Sequence, residues 1–223
     1  SLQLFGRTMK MLLMSRRPTN EKIRESLREM LSVEPSSIKM AVVPTASTLH
    51  GDDGWIDREM LEHKESFGFG SVVRCDLDGT NPEEAIARIL ESDVLEMWGG
   101  NTGYLLDWVK RSGLADRLVS GIQDVVYLGE SAGSMILGPT IDYVDTFFPG
   151  EGTVDQSGLN LVPFVVIPHL NEERFVRVRA PEVSKFAETV AYPVYALDNQ
   201  CAIQVDGSEV SVVGGGEYMA LNI

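Results

Sequence analysis

Hydrophobic and polar residues alternate along the chain in two patterns. Short, mostly apolar runs at residues 11–14, 40–43, 71–75, 94–98 and 125–128 are too short for buried helices. They read as strands covered on both faces. Between them lie stretches with apolar residues three and four apart. Ile23, Leu27, Met30 and Leu31 mark a helix for which Thr19 is the expected cap. A helix over 56–67 follows the polar loop through Asp53. Asn81 caps a third helix, with Pro82 at its first position and Glu84 placed to reach back. A fourth starts near Thr102 and carries Tyr104, Leu105 and Trp108. Strand, helix, strand in repetition predicts an α/β fold with a mostly parallel sheet and helices on both faces.

The last third changes rhythm. A strand at 164–167 and a helix near 182–190 precede three apolar runs in quick succession, at 194–197, 202–205 and 209–213. These are expected as antiparallel strands on one edge of the same sheet, with a hairpin turn at Asp206-Gly207. No internal repeat, low-complexity tract or linker divides the sequence, so residues 1–223 are expected to form a single domain. Ser1 and Leu2 fit a vector remnant.

Charge narrows the function. Acidic residues number 33 against 19 basic, a formal net charge of -14, which repels phosphate backbones and anionic membranes. Nucleic-acid binding is therefore excluded as an expectation, and no apolar run is long enough for a membrane span. Cys75 and Cys201 are far apart and in no metal-ligand spacing, so two buried reduced thiols and a cytoplasmic setting are expected.

The candidate chemistry begins at residues 129–133, Gly-Glu-Ser-Ala-Gly. A nucleophile needs an exposed side chain beside oriented donors, and a sharp strand-to-helix turn supplies both. Gly129 and Gly133 flank Ser131 at the spacing that lets such a turn close, directly after an apolar strand. Gly99-Gly100-Asn101-Thr102 ends another strand, and open α/β sheets collect ligands at such strand ends. The N–H groups of Gly100 and Ala132 are the expected oxyanion donors. Of the three histidines, His63 reads as part of a solvated helix face and His50 as part of a polar loop. His169 emerges at a strand end like Ser131 and is the candidate base. Glu130, beside the nucleophile, is a candidate for binding the substrate amino group or a structural partner.

Gly99-Gly100-Asn101-Thr102, Gly-x-Ser-Ala-Gly at 129–133 and Pro168-His169, in that order, resemble the dipeptidase E / cyanophycinase family of serine peptidases. The resemblance implies a class I glutamine amidotransferase-like fold, a Ser–His pair in this chain order, and no metal or organic cofactor. It matches Ser131 to the nucleophile, His169 to the base and Gly100 to the oxyanion glycine. It also implies an acidic residue shortly after a Pro-Thr stretch. Pro139-Thr140 is followed by Asp142 and Asp145, and Asp145 is preferred, with Asp142 and then Asp198 as alternatives. Family members that cleave after amino-terminal aspartate carry a basic residue beyond the Pro-His pair. Arg174, Arg177 and Arg179 stand in the corresponding stretch, which is short and acid-rich here. Substrate contacts are assigned to Asn101, Glu130 and Arg174. The expected activity is hydrolysis of short peptides through a Ser-His-acid acyl-enzyme. An esterase or cyanophycin-degrading enzyme on the same triad, and a catalytically silent binding module, stay open as alternatives, as does homo-oligomerisation.

Overall fold

The structure, a computed structural model, describes residues 9–17, 20–31, 33–49, 51, 54–122 and 124–223. Chain order gives β1 (Lys10–Met14), α1 (Glu21–Met30), β2 (Lys39–Val43), α2 (Thr45–Thr48), α3 (Ile56–Phe67), β3 (Ser71–Arg74), α4 (Pro82–Leu90), β4 (Val94–Met97), α5 (Thr102–Arg111) and α6 (Leu114–Ser120). Then come β5 (Val126–Glu130), α7 (Ala132–Met135), α8 (Val144–Phe147), β6 (Val165–Ile167), α9 (Ala180–Ala187), β7 (Val194–Leu197), β8 (Cys201–Asp206), β9 (Glu209–Gly214) and β10 (Tyr218–Leu221).

The main sheet has seven strands in the order β3-β2-β4-β5-β1-β8-β9. The first five are parallel, and β8 and β9 add antiparallel to one edge. Alternate residues of the parallel strands point to opposite faces. Leu13, Val43, Met97 and Tyr127 join α5, α6, α7 and α9 in one apolar core. Leu12, Met14, Val42 and Leu128 join α1 and α3 in the other. Both faces are buried, which is why these strands read as unbroken apolar runs. The two cores between them hold the sheet rigid under the site.

Register decides where the chemistry sits. Met14 pairs with Glu130, Gly129 with Met97, and Met97 with Val43. The carboxyl ends of β1, β2, β4 and β5 are therefore level, and the loops that leave them meet above the middle of the sheet.

Three expectations are corrected. β7 is not on the edge of the main sheet: it pairs parallel with β6 and antiparallel with β10 in a separate three-stranded sheet. A four-residue buried strand carries no mark of its partner, so sequence could not choose between the sheets. The last hairpin turns at Gly207-Ser208, because Asp206 is still paired with Glu209 and Gly207 takes the positive φ of 64°. The cap of α1 is Asn20, whose side chain accepts the Lys22 N–H; Thr19 lies outside the described residues. Asn81 caps α4 as expected, accepting the Glu84 N–H at 3.2 Å. Cys75 and Cys201 are buried and free. Among the described residues no helix is long and apolar enough to cross a membrane.

Candidate active site

β5 ends at Glu130 and α7 begins at Ala132, so Ser131 alone forms the corner, at φ 48° and ψ -108°. A side chain in that region costs on the order of 1–3 kcal/mol, which the surroundings must supply. They do so with hydrogen bonds: Ser131 N–H donates to the Met14 carbonyl at 2.9 Å. The Ser134 hydroxyl accepts the Met14 N–H at 2.9 Å and lies 2.8 Å from the Gly129 carbonyl oxygen. The two glycines of the motif are steric necessities. A Cβ on Gly133 would collide with the Met97 carbonyl oxygen, and one on Gly129 would stand 2.9 Å from the Ser134 nitrogen.

His169 follows β6 and meets this corner from the side. Its backbone, at φ 66°, is pinned by a bond from its N–H to the Ser15 hydroxyl at 3.0 Å. Ser15 in turn donates to the Leu197 carbonyl at the end of β7. His169 Nε2 lies 3.0 Å from Ser131 Oγ, and Nδ1 lies 3.0 Å from Asn199 Oδ1. An amide oxygen only accepts, so Nδ1 carries the proton and Nε2 turns a lone pair toward the serine hydroxyl. Burial pushes the imidazole down to about 4, against the Asn199 hydrogen bond, with the Arg174 and Arg16 charges adding to the fall. At neutral pH the ring is an uncharged acceptor.

None of the three expected carboxylates meets His169. Asp145 accepts the Gly150 and Gly152 N–H groups at 3.0 and 3.1 Å and so folds the loop after α8. Asp142 accepts from the Tyr192 hydroxyl at 2.7 Å. Asp198 accepts the N–H groups of Gln200 and Glu217, shaping the turn that presents Asn199. The residue at Nδ1 is one position beyond the third candidate. A search confined to acids passes over it, although an amide can fix the same tautomer. Asn101 is also spent on structure: its side chain accepts the Tyr104 N–H at 2.8 Å as the cap of α5.

Gly100 holds φ 134°, and a Cβ there would strike the Ala46 carbonyl. Among the described residues, the backbone hydrogen bonds leave the N–H groups of Gly100 and Ala132 without an acceptor. Both belong to the loops around Ser131. The serine and histidine open into a cavity of about 570 Å³, within the usual range for a small ligand. Its lining includes Arg16, Arg174 and Phe175, which neighbour His169, together with Glu130, His63, Trp55 and Trp98. Arg174 and Arg16 form no hydrogen bond or ion pair with another described residue, whereas Arg177 and Arg179 donate to the Thr146 and Glu172 carbonyls.

The surroundings of His63 overturn its solvated reading. Its side chain is buried, with Nδ1 2.9 Å from the fully buried Glu96. Arg17 approaches its other nitrogen at 2.9 Å and pairs with Glu59. Trp98 donates to Glu96 at 2.8 Å. The charged neighbours Glu62, Lys64 and Glu65 hide this inward face from a reading of local composition. Burial lifts the Glu130 carboxyl to about 7, the charge of Glu96 adds to the rise, and His63 and Arg17 oppose it. His50 lies outside the described residues.

The chain has relatives among known peptidases. The profile of peptidase family S51 matches residues 11–213. The chain belongs to peptidase family S51. It is a serine-type peptidase. An uncharacterised peptidase of Pasteurella multocida is 30% identical over 177 residues, covering 78% of this chain and 83% of that one. Peptidase E of Streptomyces coelicolor is 28% identical over 187 residues, 81% of this chain and 73% of its own. A Listeria monocytogenes crystal structure described as a candidate peptidase E superposes with a TM-score of 0.75 at 26% identity, over 93% of this chain and 99% of that one.

Proposed function

We propose that this S51 peptidase is an exopeptidase for dipeptides and other very short peptides, working through an acyl-enzyme on Ser131. The observation that carries the reading is the 3.0 Å approach of His169 Nε2 to Ser131 Oγ, in the tautomer that Asn199 selects. His169 takes the serine proton as Oγ attacks the scissile carbonyl. Gly100 and Ala132 N–H groups receive the oxyanion. The imidazolium then passes its proton to the leaving amine, and water, deprotonated by the same ring, releases the acyl group. Asn199 fills the place usually held by a carboxylate. It sets the tautomer but adds no negative charge to stabilise the imidazolium.

The cavity walls support the substrate class. Glu130 next to the nucleophile suits a free α-ammonium group, so the first residue of the peptide becomes the acyl group. Arg174, which lines the same cavity, suits a carboxylate. An amino-terminal aspartate side chain or the carboxyl end of a dipeptide would each supply one. Long chains would meet the cavity walls and the acidic surface. The test is a library of dipeptides, their N-acetyl and C-amide forms, and simple esters. Rapid cleavage confined to free-amino dipeptides is the expected result. Equal cleavage of N-acetylated peptides, or of esters alone, would overturn it.

A further inference from the structure

The loop after His169 folds back on itself. Glu172 N–H donates to the His169 carbonyl, Phe175 N–H to that of Glu172, and Val178 N–H to that of Phe175. This coil returns Phe175 over the imidazole, with ring centroids 4.0 Å apart and planes 9° from parallel. Phe148, from the loop after α8, sets its edge against both rings, at 5.7 Å from Phe175 and 6.5 Å from His169. The guanidinium of Arg174 sits 5.7 Å from the Phe175 ring centre. The hydrogen bonds to Asn199 and Ser131 fix the two ring nitrogens. The Phe175 ring stacked on one face adds a steric stop against tilting of the imidazole.

We propose that Phe175 is a positioning residue, whose ring holds the His169 imidazole in the plane that joins Asn199 to Ser131 and keeps water off one of its faces. The proposal rests on the reading of His169 as base. The charged and titratable groups around the pair are Arg16 from the loop after β1, Arg174 and Glu172 from the same coil, Glu151 from the loop after α8, and Glu130 in the lining of the same cavity. Burial is the largest influence holding His169 low. Uncovering one face therefore moves its titration upward.

The experiment compares Phe175→Leu and Phe175→Met, which remove the ring, with Phe175→Tyr, which keeps it. Two readouts are taken. One is the pH profile of dipeptide turnover. The other is the imidazole titration of His169 followed by NMR, assigned by its loss in His169→Gln. The ringless variants should lose about 10- to 100-fold in kcat, the scale of a misplaced catalytic group, with KM within about twofold. Their His169 titration should rise by about one unit or more toward the ordinary imidazole value. Phe175→Tyr should restore both. An unmoved titration and kcat in a folded ringless variant would overturn the proposal. So would a tyrosine variant as impaired as leucine, or failure of both ringless variants to fold. The titration needs no turnover, so it separates this proposal from the base assignment, which full activity in His169→Gln would remove.

Discussion

Replacing Asn199 tests the proposed Ser131–His169–Asn199 arrangement directly. Asn199→Ala deletes the acceptor at His169 Nδ1, a single 3.0 Å bond from a half-buried side chain. A neutral hydrogen bond contributes about 0.5–1.5 kcal/mol, worth roughly tenfold in rate at the upper end. The larger loss comes from the tautomer. Without an acceptor at Nδ1 the proton can reside on Nε2, where it faces Ser131 and blocks attack. In the Ser-His-Asp triad of serine proteases, loss of the correct tautomer costs about 10⁴ in kcat. With Phe175 and Ser131 still flanking the ring, a fall of about 10²–10³ is expected. Asn199→Asp gives the opposite sign. A carboxylate at that distance raises an imidazole by about 1–3 units, moving His169 from about 4 to between about 5 and 7. His169 works as a base only when neutral, so wild-type kcat is expected to fall as pH drops through about 4. The acid limb of Asn199→Asp should sit higher by that shift, with turnover at pH 8 preserved or improved. Stopped-time assays of a free-amino dipeptide across roughly pH 3–9 measure both. Asp142→Asn and Asp145→Asn serve as controls and should keep near-normal kcat. Asn199→Ala within about threefold of wild type, or collapse of Asp145→Asn, would refute the reasoning.

Glu130 holds its proton up to about 7, so it becomes a receptor for an ammonium group only above that pH. KM for dipeptides should fall as pH rises through about 7, then climb as the peptide amine itself loses its proton near about 7.7–8. Glu130→Gln should raise KM and flatten the lower limb. The same substitution should also raise the Tm at pH 8. A carboxyl whose folded pKa lies above its unfolded one costs stability once pH exceeds the unfolded value. The penalty grows until the folded pKa is passed, to a ceiling of about 3 kcal/mol that water in the cavity reduces. Arg174→Gln should weaken cleavage of dipeptides that present the matching carboxylate by about 10- to 100-fold, mostly in KM, and spare those in which it is amidated. Gly133→Ala must push a methyl into the Met97 carbonyl, and should cost more than about 2 kcal/mol, read as a Tm drop of about 5 °C or more.

Much of this architecture was legible because period and punctuation agree. The strands that became the parallel sheet are apolar on both faces, and Asn81-Pro82 states the start of α4 outright. The Ser131 corner and His169 were legible for a related reason: both follow apolar strands, and a residue at the end of such a strand in an open sheet is delivered to one rim. Partner choice was not legible. β6, β7 and β10 are three or four residues each, and nothing in Val194, Ala196 or Leu197 distinguishes the second sheet from the first. The expected partner of His169 was missed for a different reason. Asp142, Asp145 and Asp198 have the right chemistry in the right loops, but each is turned to backbone N–H groups or a hydroxyl. A helix signal misled at His63, where a charged neighbourhood concealed a side chain pointing inward to Glu96. Phe175 lies six residues from the histidine it covers, and only the coil of 169–178 brings them together.

The central claim is that Ser131 is made nucleophilic by His169. A fluorophosphonate probe, followed by peptide mapping, tests it without any assumption about substrate. The account predicts one modified residue, Ser131, with no labelling of Ser131→Ala and labelling of His169→Gln slowed by at least about 10³, the scale of losing a triad member. Labelling at another serine, or dipeptide hydrolysis that survives Ser131→Ala, would contradict it.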